Sequence, residues 1–249
     1  KPVPIYGSEQ VTNGDFSQTG AEQVTNGDFA TDTDWNKTNS VISGGVATIT
    51  STGYAFAAIV QTNALTVGKA YKATIDVKSV TGGLVVGGTS DTITSSGIIS
   101  VYFTASQTYL EIKRDGVYAT TIAEIDNVSV KEVGQDWVLG TGISIGDDEA
   151  IFTSVPSGQQ LAQLSLSGVV GKTYKISYEI KSRTLGAFSA SIGTTLSANQ
   201  NSSVGVYTEY LTATTTAAFY IRSRGTTSGS ITNISVQEVL SPDGDFTFT

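Results

Sequence analysis

The sequence predicts an all-β protein made of two tandem antiparallel β-sandwich modules of the jelly-roll kind. Three observations carry this. The phrase GKAYKATIDVKS (68–79) returns as GKTYKISYEIKS (171–182), and IDNVSVKEV (125–133) returns as ITNISVQEV (231–239), at nearly the same displacement. Both copies of the first phrase alternate apolar and polar residues with a period of two, the mark of a half-buried strand. The composition, rich in Gly (27), Ser and Thr, suits short strands joined by turns rather than helices.

Taken in chain order, residues 1–21 read as an extended N-terminal arm or linker. Two prolines in Lys1-Pro-Val-Pro-Ile-Tyr-Gly lock φ and remove ladder donors. The first module spans 22–133 and the second 134–240. The segment 241–249, Ser-Pro-Asp-Gly-Asp-Phe-Thr-Phe-Thr, reads as a tail or the start of a further module, and the lack of an initiator Met at Lys1 fits an excerpt of a longer polypeptide.

In the first module Tyr71, Ala73, Ile75 and Val77 face inward, with strands also expected at 41–49, 54–61, 82–86, 98–104, 109–113 and 125–133. In the second, Tyr174, Ile176, Tyr178 and Ile180 face inward, with counterparts at 143–153, 160–166, 188–192, 206–212, 218–222 and 231–240. Gly and Asp clusters such as Gly44-Gly45, Asp115-Gly116 and Gly146-Asp147-Asp148 punctuate them.

EQVTNGDF occurs at 9–16 and again at 22–29, too close for each copy to belong to its own complete module, so that one copy reads as surplus. Two readings stand. One copy is a recombination remnant forming a frayed arm, or it serves as a strand elsewhere, because the second module runs from Val133 through Gly134-Gln135-Asp136 to Trp137 without an NGDF of its own. On the second reading, deleting residues 1–20 lowers stability or changes oligomeric state.

Composition narrows the chemistry. A net charge of −8 repels a phosphate backbone, so nucleic acid is not an expected partner. With no Cys and no His, thiolate zinc sites and the commonest general base are absent. The longest apolar run, 55–60, is far below the roughly 20 residues of a membrane helix, so no membrane insertion is expected.

Asn26-Gly27-Asp28-Phe29, Trp35, Ile42-Ser-Gly-Gly-Val-Ala47 and Ile125-Asp126-Asn127-Val128-Ser129-Val130 together resemble the carbohydrate-binding-module-like jelly rolls of the galactose-binding-like superfold. The linking phrase KEVGQDW (131–137) and the SPDGDFTFT tail are similar to repeated modules of phage virion proteins such as tail and head fibres. That resemblance implies a non-enzymatic virion segment, a fibre or decoration component at the particle surface, extracellular, self-associating into a homo-oligomer and touching other virion proteins or a host surface glycan. The alternative is a glycan-binding tandem module of a secreted bacterial carbohydrate-active protein or cell-surface adhesin.

The resemblance also implies a structural Ca²⁺ in the first module, with Asp28 and Asp126 as oxygen donors; against it stands a turn-capping role for Asp28 and a solvated one for Asp126. No other cofactor is expected. Asp32-x-Asp34-x-Asn36 opens like an EF-hand loop but has Lys37 where glycine is needed, and no catalytic constellation is present. Glycan contact needs aromatic faces, for which the candidates are Trp35, Tyr54, Tyr102 and Tyr118 in the first module and Trp137, Tyr207, Tyr210 and Tyr220 in the second. The tryptophans occupy matched places, which core anchors would also do.

Overall fold

A computed structural model of the chain describes residues 4–240, so the expectation for 241–249 lies outside the described residues. Within them there is no helix, and two compact units form. One is Thr19–Gln135. The other joins the N-terminal residues through Gln18 to the chain from Asp136 onward. The first module is thus an insertion in the sequence of the second, and the segment expected as an arm up to residue 21 is divided between them.

Strand β1 (Ile5–Glu9) belongs to the second module. The first module holds β2 (Thr19–Glu22), β3 (Asn36–Thr38), β4 (Ser40–Ser43), β5 (Val46–Ser51), β6 (Ala58–Gln61), β7 (Ala70–Thr81), β8 (Leu84–Val86), β9 (Gly97–Thr104), β10 (Leu110–Arg114) and β11 (Thr121–Val133). One sheet runs β4-β5-β11-β7-β9 with β2 beside β11, and the other runs β3-β6-β10-β8; all pairs are antiparallel. The inward stripe Tyr71, Ala73, Ile75 and Val77 is at most 1% exposed and meets Ile59, Leu84, Leu110 and Ile112 from the facing sheet. Burial of these side chains is the dominant stabilising term.

The second module continues with β12 (Val138–Leu139), β13 (Ile143–Gly146), β14 (Glu149–Val155), β15 (Gln160–Ser167), β16 (Thr173–Ile192), β17 (Thr195–Leu196), β18 (Gly205–Thr212) and β19 (Ala218–Leu240). Here β16 and β19, of 20 and 23 residues, run on through bulges where the first module breaks into separate strands. Gly186 turns β16 at φ +70°, and a Cβ there would lie 2.4 Å from the Thr226 carbonyl oxygen; Gly82 makes the matching corner between β7 and β8. Sequence reading divides β19 into 218–222 and 231–240 because Arg224 to Gly229 breaks the alternation, yet the ladder continues on the register shifts.

Both EQVTNGDF copies perform one structural task, each in a different module. In the first, Val128 N–H donates to the Gly27 carbonyl at 2.8 Å, and in the second Ile234 N–H donates to the Gly14 carbonyl at 2.9 Å. A Cβ on either glycine would lie 2.0 Å from the carbonyl oxygen of Val128 or Ile234, so only glycine allows the approach. Phe29 packs 5.5 Å from Trp35 and Phe16 packs 5.4 Å from Trp137, and each indole N–H donates to the Asn26 or Asn13 carbonyl. The amides of Gln61 and Gln163 bracket Thr25 and Thr12 through paired hydrogen bonds. Glu22 accepts from Val130 N–H and Ser129 Oγ–H, as Glu9 does from Val236 N–H and Ser235 Oγ–H. The segment at 9–16 is therefore the opening of the second module, and β1 pairs with β19 from Ile5 opposite Leu240.

Candidate functional site

The expected contact residues divide sharply by position. Trp35 and Trp137 are only 5% and 6% exposed, closing the joints just described, and their faces are unavailable to a ligand. Tyr102 lies on β9 beneath the Lys72 ammonium, 5.3 Å from the ring centre. Tyr207 packs 5.9 Å from the buried Tyr178 and donates its hydroxyl hydrogen to the Ser203 carbonyl. Tyr210 shares a hydroxyl hydrogen bond with Tyr6 at 2.9 Å, which, ahead of partial burial, raises its pKa.

Tyr54 and Tyr118 come together at one end of the first module. Arg114 sits 6.0 Å from the Tyr54 ring centre and donates to the Tyr118 carbonyl, while Tyr54 N–H donates to the Ala119 carbonyl. Asp115, in the same turn, is held below the usual carboxylate pKa by the Thr92 hydroxyl, the Val117 N–H and the Arg114 charge.

The Ca²⁺ expectation meets a poor donor set. Asp28 caps its own turn by accepting from Ala30 N–H, and it is exposed. Asp126 accepts from Asn127 N–H at 2.7 Å, and the Lys78 ammonium stands 3.4 Å from its other oxygen. A cation placed there would face that ammonium, and no group of three or more acidic, His or Cys side chains is gathered among the described residues. These residues do not fit a Ca²⁺ site.

Tyr220 has the most suggestive surroundings. The cross-strand register of β12-β15-β19-β16 sets two rows of side chains on the face of this sheet turned away from the core: Val138–Ala162–Tyr220–Ser191, and beside it Gln160–Arg222–Ser189. Ala162 is small, so an open groove of about 270 Å³ lies between Val138 and Leu164, with Gln159, Gln160 and Gly158 along it. That is close to the lower end of ligand pockets, about 300 Å³. Gly158 takes φ +91° in the turn after Pro156, and its carbonyl accepts from Arg222 Nε–H at 3.3 Å, which orients the guanidinium beside the Tyr220 ring, 6.0 Å from its centre. Val138 and Leu164 are 50% and 63% exposed, forming apolar rims. Ser191, opposite Tyr220, is fully buried, and its hydroxyl has no hydrogen-bond partner among the described residues.

The same sheet face in the first module differs at every decisive place. Val60 pairs with Glu111 and Ala58 with Lys113, so Glu111 stands where Tyr220 does and Lys113 where Arg222 does. Those two neutralise each other at 2.6 Å. Sequence reasoning singled out Tyr220 but missed Arg222, Gln159 and Gln160; the available signal was the pair of substitutions between repeats, hidden by the unequal spacing of their strands.

No protein-family model matches the chain, and no curated protein does. Among solved structures, the N-terminal CBM22-1–CBM22-2 tandem domain of Xyn10C from Paenibacillus barcinonensis is similar over 93% of this chain and 100% of that one, at 11% identity and a TM-score of 0.31.

Proposed function

We propose that this chain is a non-enzymatic contact protein whose second module binds a saccharide in the groove beside Tyr220. The observation that carries the reading is an open depression lined by Val138, Leu164, Gln159 and Gln160, with Tyr220 and Arg222 as the cross-strand neighbours of its Ala162 and Gln160. Sugar rings offer C–H faces to an aromatic side chain and hydroxyls to planar polar groups, and this face supplies both. The first module, whose matching face holds an internal ion pair, acts as a spacer or a second contact surface. The linking phrase KEVGQDW supports placing such modules in a phage virion fibre or decoration protein, where many copies raise effective concentration and weak single contacts suffice.

Affinity electrophoresis or calorimetry against a panel of soluble polysaccharides tests the reading. At least one is expected to bind, with Tyr220→Ala weakening binding about tenfold or more and Tyr102→Ala leaving it unchanged. Absence of binding across the panel, or equal binding by the Tyr220 variant, would overturn it.

A further inference from the structure

We infer that the groove of the second module selects an anionic saccharide, one whose sugar carries a carboxylate or a sulfate ester. This rests on the groove being a saccharide site, and it follows from comparing the two copies of one fold. Six lysines, at 37, 69, 78, 113, 172 and 181, each have an acidic partner within 4 Å. Among the described residues Arg222 has none, and neither do Arg114, Arg183 and Arg224; of these, Arg222 is the cross-strand partner of Gln160, which lines the groove. Where the first module places Glu111 to neutralise Lys113, the second places Tyr220, which removes the counter-charge and adds a ring.

The guanidinium is held for the task. Its Nε–H is engaged by the Gly158 carbonyl and one side lies toward the Tyr220 ring, so the two terminal nitrogens remain as a planar donor edge. That edge matches two oxygens of a carboxylate or sulfate, a pairing lysine cannot reproduce. No carboxylate side chain lines the groove, in a chain with 22 acidic residues, so nothing there competes for Arg222. The net charge of −8 repels a polyanion at long range, but at about 0.15 M salt that field is screened beyond about 8 Å while a bidentate contact survives.

The test compares polymers that share a backbone. At about 0.15 M salt, the full chain is titrated with polygalacturonate, its fully methyl-esterified form, dextran sulfate and dextran. Binding to polygalacturonate or dextran sulfate is expected to exceed that to its uncharged counterpart by about tenfold or more, and the arm that binds tells carboxylate from sulfate. Arg222→Gln should abolish that preference, with Arg222→Lys intermediate. If uncharged polymers bind as well as charged ones, or Arg222→Gln keeps the preference, the inference fails while the saccharide site stands. If none of the four polymers binds, this inference is overturned, and the wider panel above decides the fate of the site itself.

Discussion

Gly14 and Gly27 show how much one hydrogen atom decides. Each lets its chain touch the carbonyl of the closing strand, and an added methyl would sit 2.0 Å from that oxygen. Gly27→Ala is expected to cost the first module about 1–3 kcal/mol, and Gly14→Ala the second, since overpacking at that distance must displace backbone. Urea unfolding followed by the tryptophan of the affected module reads the loss separately. A second residue-scale contrast lies inside the sandwich. The register matches Ile75, Ile93 and Val101 of the first module to Tyr178, Asn201 and Glu209 of the second, so the same spot is apolar in one copy and polar in the other. Asn201 Nδ2–H donates to Tyr178 Oη and Glu209 Oε1, while Glu209 Oε2 is buried without a partner among the described residues. Asn201→Ala should therefore destabilise by about 1–3 kcal/mol, whereas the joint change of Tyr178→Ile, Asn201→Ile and Glu209→Val should leave the module at least as stable, because all partners leave together. Thermal unfolding of the single and triple variants distinguishes these outcomes. Burial, ahead of the neighbouring Glu209 charge, raises the Tyr178 pKa above its ordinary value near 10. The native state then keeps a proton that the unfolded chain loses, so stability is intact below pH 10 and falls as pH rises through the alkaline range. Tyr178→Phe should flatten that fall in the second module; a pH series of unfolding midpoints checks it.

At the scale of elements, the stripes on β7 and β16 were legible because substitution between copies kept the period of two: Tyr174, Ile176, Tyr178 and Ile180 are all at most 1% exposed. The joint was half legible. Matched tryptophans pointed to core anchors, and the missing NGDF in the second module pointed to a borrowed strand, but no pattern in one sequence says which sheet a detached strand will join. The groove was least legible. Tyr220 could be seen as an aromatic, yet its neighbours Ala162, Gln160 and Arg222 come from strands whose pairing depends on the bulged stretch between Ser223 and Gly229, where alternation carries no information. The insertion itself makes an element-scale prediction. Thr19 and Val133 are cross-strand partners, so the inserted module enters and leaves at neighbouring points. Replacing residues 19–135 by a short Gly/Ser linker should leave the second module folded with Trp137 still buried, as quenching by acrylamide would report; an exposed tryptophan would refute the excision argument.

Across the whole molecule, the two related sandwiches differ in how they are assembled and in the side chains of one outward face. The first folds from one unbroken stretch, and its outward sheet face carries the self-neutralised pair Glu111–Lys113. The second is assembled from two stretches separated by the entire first module, and the corresponding face carries Tyr220 and Arg222 beside the groove. Presentation of the groove thus depends on β1 and the Asn13-Gly14-Asp15-Phe16 segment staying docked. The two tryptophans report on this one module each: Trp137 in a Trp35→Phe chain and Trp35 in a Trp137→Phe chain. The decisive measurement is the thermal midpoint seen by each, with and without residues 1–18. Their removal should lower the Trp137 midpoint by at least about 5 °C, the shift of a domain this size losing more than about 1 kcal/mol, and leave the Trp35 midpoint in place. A Trp137 midpoint that does not move when those residues are removed would contradict the discontinuous second module on which the account stands.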